Sequence, residues 1–427
     1  MKPPRHRHSR AVEAWKALGP GLVTGAADDD PSGIATYSQA GAQFGLGLLW
    51  TIVLTYPLMA GIQLVGAEIG RVTGVGLAGN MRRVFPRWLL TIVVVLLVVT
   101  NTINIAADVA AMGEAAALLL PQQGLDFYTV GFGLLCLGLE IFLSYRSYAR
   151  ILKWLTLALL SYVAVVFTVQ IPWLEVLKGA LVPGHVGSRE ALTMIVALFG
   201  TTISPYLFFW QTAQEVEELE AHPDEHALKD APREAPRELR RITIDTWVGM
   251  AFSNLVAFFI VTTTAVTLHS HGVTTIETTA QAATALRPIA GPFAFALFAL
   301  GIIGTGLLAV PVLAGSAAYA VAEARNWPHG LNRKLNEARG FYGIIAVATL
   351  GGVALVFSGF DPIQALVWSA VINGVVAAPI RAVSMILVSR RDVMGQFAAP
   401  RWLRALGWAA TAAMILAAVG MVVTQLG

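Results

Sequence analysis

Three consecutive aspartates, Asp28, Asp29 and Asp30, lie inside an otherwise apolar run from about Leu18 to Ala42. At about 1.5 Å per helical residue, that run is long enough to cross a bilayer. Each charged side chain at the bilayer centre costs roughly 2.5 to 3.5 kcal/mol on insertion scales before any partner is counted. Because carboxylates that face one cavity could bind a cation, which would offset this cost, we treat these aspartates, the acidic run, as the first candidate site.

The residues after the acidic run are of the kind that interrupts a helix. Pro31 removes a backbone donor and disfavours helical geometry at the residue before it, and Gly33 loosens the chain beyond it. We therefore expect a helix broken in two, with carboxylates and free carbonyl oxygens facing one cavity. Irregular backbone at membrane depth is tolerated only where it is buried in protein or lines water. The sequence thus predicts a polar cation site at this break.

A second interruption of the same kind occurs at residues 200–206, where Gly-Thr-Thr-Ile-Ser-Pro-Tyr divides another apolar run. Pro31 and Pro205 each open a set of five predicted spans, and an odd number makes the second set enter the membrane from the opposite face. Paired interrupted helices in two inverted halves indicate a transporter whose site lies at the midplane. The alternative is two ordinary proline kinks, which are common in membrane helices.

The composition is that of a membrane protein. The chain has 427 residues, of which 56% are hydrophobic and 13% charged, and its mean hydropathy is +0.66. Soluble domains carry about 25% charged residues, so we predict an all-α protein with several membrane spans. Eleven spans are predicted, at about residues 18–43, 46–69, 88–117, 127–144, 151–173, 190–214, 244–268, 291–322, 341–358, 361–388 and 402–426.

The basic residues follow these spans and form no single patch for nucleic acid. Alternate loops share most of the positive charge, in Arg82, Arg83, Arg87, Arg146, Arg150, Lys153, Arg240, Arg241, Arg333, Lys334, Arg390, Arg391, Arg401 and Arg404. The opposite loops carry only Lys178, Arg189 and Arg287. This asymmetry predicts a multi-pass protein of the plasma (inner) membrane with a cytoplasmic amino terminus and an outside carboxyl terminus.

The predicted organisation is a single transporter domain. It comprises a cytoplasmic tail at 1–17, a first repeat at 18–173, a second repeat at 190–388 and an extra helix at 402–426. Within the second repeat, residues 215–243 are expected to form a solvated cytoplasmic linker whose acidic part extends the sixth span.

Several segments resemble the NRAMP family of divalent-metal transporters. They are Gly-Pro-Gly at 19–21, Asp-Pro-Ser-Gly at 30–33, Gln-Ala-Gly-Ala-Gln-Phe-Gly at 39–45, Leu-Leu-Trp at 48–50, Val-Thr-Gly at 72–74 and the interruption at 200–206. The resemblance implies a LeuT-type fold, with two inverted repeats of five helices and a metal held between the unwound parts of the first and sixth helices. It also implies a transporter and not an enzyme.

The departures from the family pattern bear on the metal. Gly33 stands where the family has an asparagine ligand, Thr201 where an alanine binds through its carbonyl, and Ser204 where a methionine supplies a thioether. A thioether favours transition metals, whereas carboxylate, hydroxyl, carbonyl and water oxygens suit Mg2+, Ca2+ or Mn2+. The pattern resembles the NRAMP-related magnesium transporters. The implied ligands for Mg2+ or Mn2+ are Asp30, Thr201, Ser204, Gly33 and Asp29, with Asp29 or Asp28 acting through water.

The proton route of the family is also altered. Tyr206 replaces a histidine of the sixth helix, Asp108 keeps an aspartate of the third, and Ala111 replaces a glutamate there. A tyrosine, whose ordinary pKa is about 10, cannot exchange protons near neutrality as histidine does. The resemblance therefore predicts weak or absent proton coupling.

Other polar residues are candidates for the pathway. Asn101, Asn104 and Asp108 form a stripe on the third span, which either lines the water path or bonds to neighbouring helices. Asn373 in the tenth span is a further candidate. Together with Asp28 and Tyr206, these residues complete the predicted site.

Four alternatives remain open at this stage, and a non-transporting sensor built on the same scaffold is the last of them. The first is a proton-coupled Mn2+/Fe2+ importer, and the second is a sodium-coupled carrier of a small organic solute on the same fold. The third is an intramembrane aspartyl protease that uses Asp30 and Asp108, although no Gly-x-Gly-Asp run is present. The predicted partners are a divalent ion and the lipid bilayer, with no nucleic acid and no resident cofactor. The sequence does not define the oligomeric state.

Overall fold

Long helices, several of them interrupted, account for the regular structure. The computed structural model describes residues 20–120, 122, 124–142, 163–164, 167, 170–184, 187–222, 224–287, 291–359 and 361–426. The helices in these ranges are α1 Pro20–Asp28, α2 Pro31–Phe44, α3 Leu49–Thr73, α4 Leu77–Val84, α5 Arg87–Leu119, α6 Leu125–Phe142, α7 Trp173–Leu181, α8 Arg189–Thr202, α9 Pro205–Ala221, α10 Ala235–Thr267, α11 Thr279–Thr284, α12 Ala294–Arg325, α13 Arg339–Val356, α14 Pro362–Ser389, α15 Arg391–Met394 and α16 Arg401–Leu426.

Most predicted spans are found at the expected places. In the described part of the chain, nine helical stretches are long and apolar enough to cross a membrane, with α8 and α9 counted as one. The first predicted span is divided into α1 and α2, each too short to be counted alone. The fifth, at 151–173, lies mostly outside the described residues, and the 1–17 tail and the loop residues Arg146, Arg150 and Lys153 lie wholly outside them.

Both predicted helix breaks are present, and both end at a proline. Asp30 has an extended backbone (φ −67°, ψ 169°) and caps the amino terminus of α2, whose first residue is Pro31. Ser204 has a similar backbone (φ −70°, ψ 137°) before Pro205, the first residue of α9. Proline is well suited to the first helical position, where its missing N–H leaves no bond unmade. Each proline therefore ends one half-helix and begins the next.

Glycines allow the broken helices to pack closely against their neighbours. A Cβ on Gly25 of α1 would lie 2.2 Å from the carbonyl oxygen of Gly249 in α10. A Cβ on Gly200 of α8 would lie 2.0 Å from the carbonyl oxygen of Ala370 in α14. Small residues at membrane helix interfaces let backbones approach in this way. The broken helices are thus fixed between α10 and α14.

The predicted linker at 215–243 is not one loop. Residues 215–221 belong to α9 and residues 235–243 to α10, so the connection between these helices covers only 222–234. The expectation of a solvated charged face is also wrong for three of its acids, because Glu215, Glu217 and Glu238 are buried.

Ion pairs at the basic end of the bundle, the end that carries the arginine-rich loops, explain the burial of Glu215 and Glu238, whereas Glu217 accepts hydrogen bonds from Tyr319, Asn332 and the Leu331 N–H. Arg71 at the end of α3 lies 2.6 Å from Glu225 and 3.0 Å from Glu238, and Arg241 lies 2.8 Å from Glu215 and 2.9 Å from Glu238. Partial burial tends to raise the pKa of Glu225, but the hydrogen bond and charge of Arg71 outweigh it and hold that pKa below its ordinary value. Arg71 thus joins α3 to α10, which is distant in the sequence, and Arg241 joins α10 to α9.

Candidate cation site

Asp30 and Tyr206 connect the two helix breaks directly. The Tyr206 hydroxyl, on the first turn of α9, lies 3.3 Å from Asp30 Oδ2 and 3.1 Å from the carbonyl oxygen of Ala27. The other carboxylate oxygen of Asp30 accepts a hydrogen bond from the Gly33 backbone N–H at 2.6 Å. Both side chains are buried. The first carboxylate of the predicted site is therefore oriented by one broken helix and contacted by the other.

Asp28 and Asp29 face α10 and share a serine that sequence reasoning missed. Ser253 Oγ lies 2.7 Å from Asp28 Oδ2 and 3.2 Å from Asp29 Oδ1. The second oxygens of both carboxylates, Asp28 Oδ1 and Asp29 Oδ2, are buried without a hydrogen-bond partner among the described residues. Two fully buried carboxylates thus keep acceptor atoms that water or a cation could use.

The end of α8 supplies further oxygens. Ser204 Oγ lies 2.9 Å from the carbonyl oxygens of both Gly200 and Thr201, so its hydroxyl hydrogen turns back onto α8 and its lone pairs stay available. A Cβ on Gly33 would lie 3.1 Å from Thr201 Oγ1 and 3.3 Å from the Tyr37 ring. Gly33 and Thr201, two predicted ligands on different broken helices, are therefore neighbours.

The pathway candidates divide into two groups. Asp108 lies beside the first turn of α2, near the Ser32 backbone N–H and within electrostatic range of Asp30. Asn101, by contrast, donates at 2.8 Å to both the Leu313 carbonyl and Ser316 Oγ of α12, which is the interhelical role. The stripe is therefore not uniform in function.

Two further pathway candidates form no hydrogen bond with the acidic run within the described part of the chain. Both amide atoms of Asn104 are buried without a hydrogen-bond partner among the described residues, and the same holds for Asn373 Oδ1. Asn373 precedes Gly374 on α14, which packs against Gly200 of α8. The structure thus puts it near the second break but leaves its role a prediction.

The side-chain atoms around the acidic run that could bind a cation are oxygens. The hydrogen-bond donors to the acidic run in the described chain are a serine, a tyrosine and backbone N–H groups. No three His, Cys, Asp or Glu side chains there converge tightly enough to hold a metal by themselves. A cation at this place would need carbonyl, hydroxyl or water oxygens in addition to carboxylate, which is the coordination that Mg2+ favours.

The acidic run is closed to solvent, and a separate cavity lies further along α2. Asp28 and Asp29 are 0% exposed and Asp30 2%. A cavity of about 400 Å³ opens at the end opposite the basic end, lined in part by Gln39 and Gln43 of α2, Glu190 of α8 and Gln364 of α14. At the basic end, Asp245 Oδ2 accepts a hydrogen bond of 2.7 Å from the Gly21 N–H and joins α1 to α10. A hydrogen bond therefore joins α1 to α10 at the basic end, and the cavity lies at the other end.

The chain was compared with protein families and with known proteins. The profile of the Nramp family, described as natural resistance-associated macrophage protein-like, matches residues 21–424. The chain belongs to the Nramp family. Two similar relatives of this Nramp chain are divalent metal cation transporters MntH. The one from Klebsiella pneumoniae is 27% identical over 95% of the chain and 94% of the relative, and the one from Deinococcus radiodurans is 26% identical over 96% and 89%.

Solved structures agree with the fold. A manganese transporter from Eremococcus coleocola superposes with a TM-score of 0.73 at 19% identity, covering 98% of this chain and 88% of that one. MhsT, solved with L-phenylalanine, superposes with a TM-score of 0.58 at 12% identity, covering 96% and 98%. The expectation of a LeuT-type fold with inverted five-helix repeats and unwound first and sixth helices is confirmed. This Nramp chain is an integral membrane protein.

Proposed function

We propose that this protein transports a hard divalent cation, Mg2+ and also Mn2+, across the membrane by alternating access. The observation that carries the proposal is the contact between the two breaks: Tyr206 of α9 lies 3.3 Å from Asp30 at the start of α2. A transporter of this architecture binds its cargo between such breaks and exposes it to each side in turn.

The proposed ligand set gives each residue a distinct part. Asp30 provides the charged oxygen, Thr201 and Ser204 provide carbonyl or hydroxyl oxygen from the second break, and Gly33 lets the first break lie close to Thr201. Asp29 and Asp28 act through water, because each has a buried acceptor oxygen that Ser253 leaves unpaired. Mg2+ sheds water reluctantly and is usually held by one or two carboxylates with several waters retained. A partly hydrated Mg2+ therefore suits this set.

Weak or absent proton coupling forms part of the proposal. A buried tyrosine replaces the histidine beside the charged ligand, and Ala111 stands on α5 where the family has a glutamate. Import does not require protons, since a divalent ion that moves inward through a potential of 100 mV gains roughly 4.6 kcal/mol. We propose that the protein lies in the plasma membrane with its basic end in the cytoplasm and its carboxyl terminus outside.

The second candidate is a proton-coupled importer of Mn2+ or Fe2+. It is favoured by Asp108, a fully buried carboxylate within electrostatic range of Asp30 that could carry a proton. A sodium-coupled carrier of a small organic solute is supported by fold alone, and three carboxylates beside the break oppose an anionic group there.

Uptake of Mg2+ and of Mn2+ into proteoliposomes, each at the same fixed potential with a pH dye inside, separates these candidates. We expect both ions to enter, Mg2+ at least as well as Mn2+, without a stoichiometric change in internal pH. Mn2+ entry with Mg2+ excluded and a matching proton influx would favour the second candidate. Failure of both ions to enter would reject divalent transport altogether.

A further inference from the structure

Arg381, in the span formed by α14, is fully buried and contacts the second helix break. Its Nη2 donates a hydrogen bond to the carbonyl oxygen of Ile203, and its Nη1 lies 3.4 Å from the carbonyl oxygen of Ala410 in α16. The guanidinium carbon lies 5.8 Å from the centre of the Phe208 ring on α9. One side chain therefore joins α14 to both half-helices of the second break.

No acid neutralises this arginine within the described residues. The ion pairs found there involve other arginines or His222, at the basic end of the bundle or at its surface. Arg381 Nε is also buried without a hydrogen-bond partner. An arginine stays charged under these conditions, and a charge at membrane depth is costly unless something balances it. An intramembrane ionisable residue is for this reason a candidate for function.

The end of α8 provides the balance. Ile203 is the residue that ends α8, with φ −131° and ψ 58°. The last carbonyl groups of a helix carry partial negative charge, and an aromatic face attracts a guanidinium. Two oxygen ligands of the proposed cation site lie next to this carbonyl group: Thr201 in the last turn of α8, and Ser204 directly after Ile203. Arg381 and the transported ion therefore share one negative helix end.

We propose that Arg381 is a positioning residue that limits the affinity of the site for its divalent ion, an inference that rests on the proposed function. Its hydrogen bond holds the Ile203 carbonyl away from the ion and keeps the break formed when no ion is bound. Its fixed positive charge repels the ion across an interior of low dielectric, where such repulsion is strong. The site then holds its cargo loosely enough to release it.

The test compares three variants with the wild type. Arg381→Met removes the charge and the hydrogen bond, Arg381→Gln keeps a donor for Ile203 without the charge, and Arg381→Lys keeps the charge. The matched control is Arg390→Met at the end of the same helix, an exposed arginine paired with Asp392 at 2.7 Å. Mg2+ affinity is measured by calorimetry on purified protein, uptake in proteoliposomes, and stability by thermal unfolding.

We expect Arg381→Met and Arg381→Gln to bind Mg2+ about tenfold more tightly or better, because a repulsive charge near a divalent ion has been removed. Their maximal uptake rate should fall several-fold while KM also falls, which a purely structural defect would not produce. Arg381→Lys should bind within about threefold of the wild type, and Arg390→Met should match it.

Three results would overturn the proposal. The first is that both neutral variants bind Mg2+ with an affinity within twofold of the wild type, and the second is that they bind it more weakly. The third is that both fail to fold, which would show that the arginine has only a structural role. A wild type that binds neither Mg2+ nor Mn2+ would instead refute the proposed function. The two failures are therefore distinguishable.

Discussion

Asp30 has two roles at one position. One carboxylate oxygen caps α2 by accepting the Gly33 N–H at 2.6 Å, and the other faces Tyr206 at 3.3 Å. The cap fixes the rotation of the carboxylate, so helix geometry determines where the free oxygen points. Cation binding and helix initiation are therefore coupled in this residue, and a substitution must separate them.

Asp30→Asn and Asp30→Ala separate the two roles. Asparagine caps a helix about as well as aspartate but has no charge, whereas alanine loses both and costs about 1 kcal/mol of stability. We expect Mg2+ uptake to be lost in both variants and thermal stability to fall only in Asp30→Ala.

Asp361→Ala is the matched control for that comparison. Asp361 caps α14 by accepting the Gln364 N–H at 2.9 Å, at an exposed position. Its removal should lower stability and leave uptake nearly unchanged. Uptake by Asp30→Asn at more than about a tenth of the wild-type rate would show that the carboxylate charge is not required.

Ser204→Met tests the oxygen donor set. Ser204 stands at the second break with its hydroxyl 2.9 Å from the Gly200 and Thr201 carbonyls. A thioether there is a softer ligand, so we expect the ratio of Mn2+ to Mg2+ uptake to rise by about tenfold. The ratio is measured in one preparation and is insensitive to the amount of active protein. An unchanged ratio would remove Ser204 from the ligand set.

Residues that the sequence did not predict have a common feature. Ser253 is one of several hydroxyl residues in an apolar span, and Arg381 is the single cation of another, twenty positions into it. Each acts on a residue more than 170 positions away, Ser253 on Asp28 and Arg381 on Ile203. A lone charge in a span is a signal that can be read from sequence, but its partner cannot be.

At the scale of elements, the breaks were predictable and their supports were not. A polar residue followed by proline determines where α2 and α9 begin, and this pattern is local. The burial of Glu215 and Glu238 depends instead on the ion pairs that Arg241 and Arg71 form with them from other helices. Such pairing needs the tertiary arrangement, so a charged stretch was expected to be solvated.

The packing of α1 on α10 gives a prediction about opening. Because a Cβ on Gly25 would lie 2.2 Å from the Gly249 carbonyl oxygen, Gly25→Val should push α1 away from α10. The site should then open toward the basic end. We expect faster labelling of a cysteine at Ser253 by an impermeant thiol reagent applied on that side, in a background where the buried Cys136 is replaced by serine.

Gly343→Val provides the control for this opening. A Cβ on Gly343 of α13 meets nothing within 4 Å, so valine fits there without moving a helix. Labelling should match that of the parent. Equal labelling in Gly25→Val and Gly343→Val would mean that the α1–α10 contact does not close the site.

At the scale of the whole molecule, composition and hydropathy predicted an all-α membrane protein and its spans, because both follow from bilayer thickness. The LeuT-type fold was implied instead by the paired helix breaks and the family resemblance. Two of the broader expectations depend on other information. The fifth span lies mostly outside the described residues, so its position stays a prediction. The orientation in the membrane was predicted from loop charge alone and also stays a prediction. The cavity of about 400 Å³ at the end opposite the basic end is a feature that the sequence did not locate.

The energy source of transport is a property of the whole molecule. If the membrane potential drives uptake without protons, a divalent ion gains roughly 4.6 kcal/mol per 100 mV, so accumulation should rise about tenfold for every ~30 mV, inside negative. The measurement is the steady Mg2+ ratio across proteoliposomes at several potassium diffusion potentials and equal pH. Liposomes with Asp30→Ala should remain near the passive ratio. An imposed pH gradient at zero potential should drive no accumulation, and accumulation under that condition would show that protons, and not voltage alone, drive this transporter.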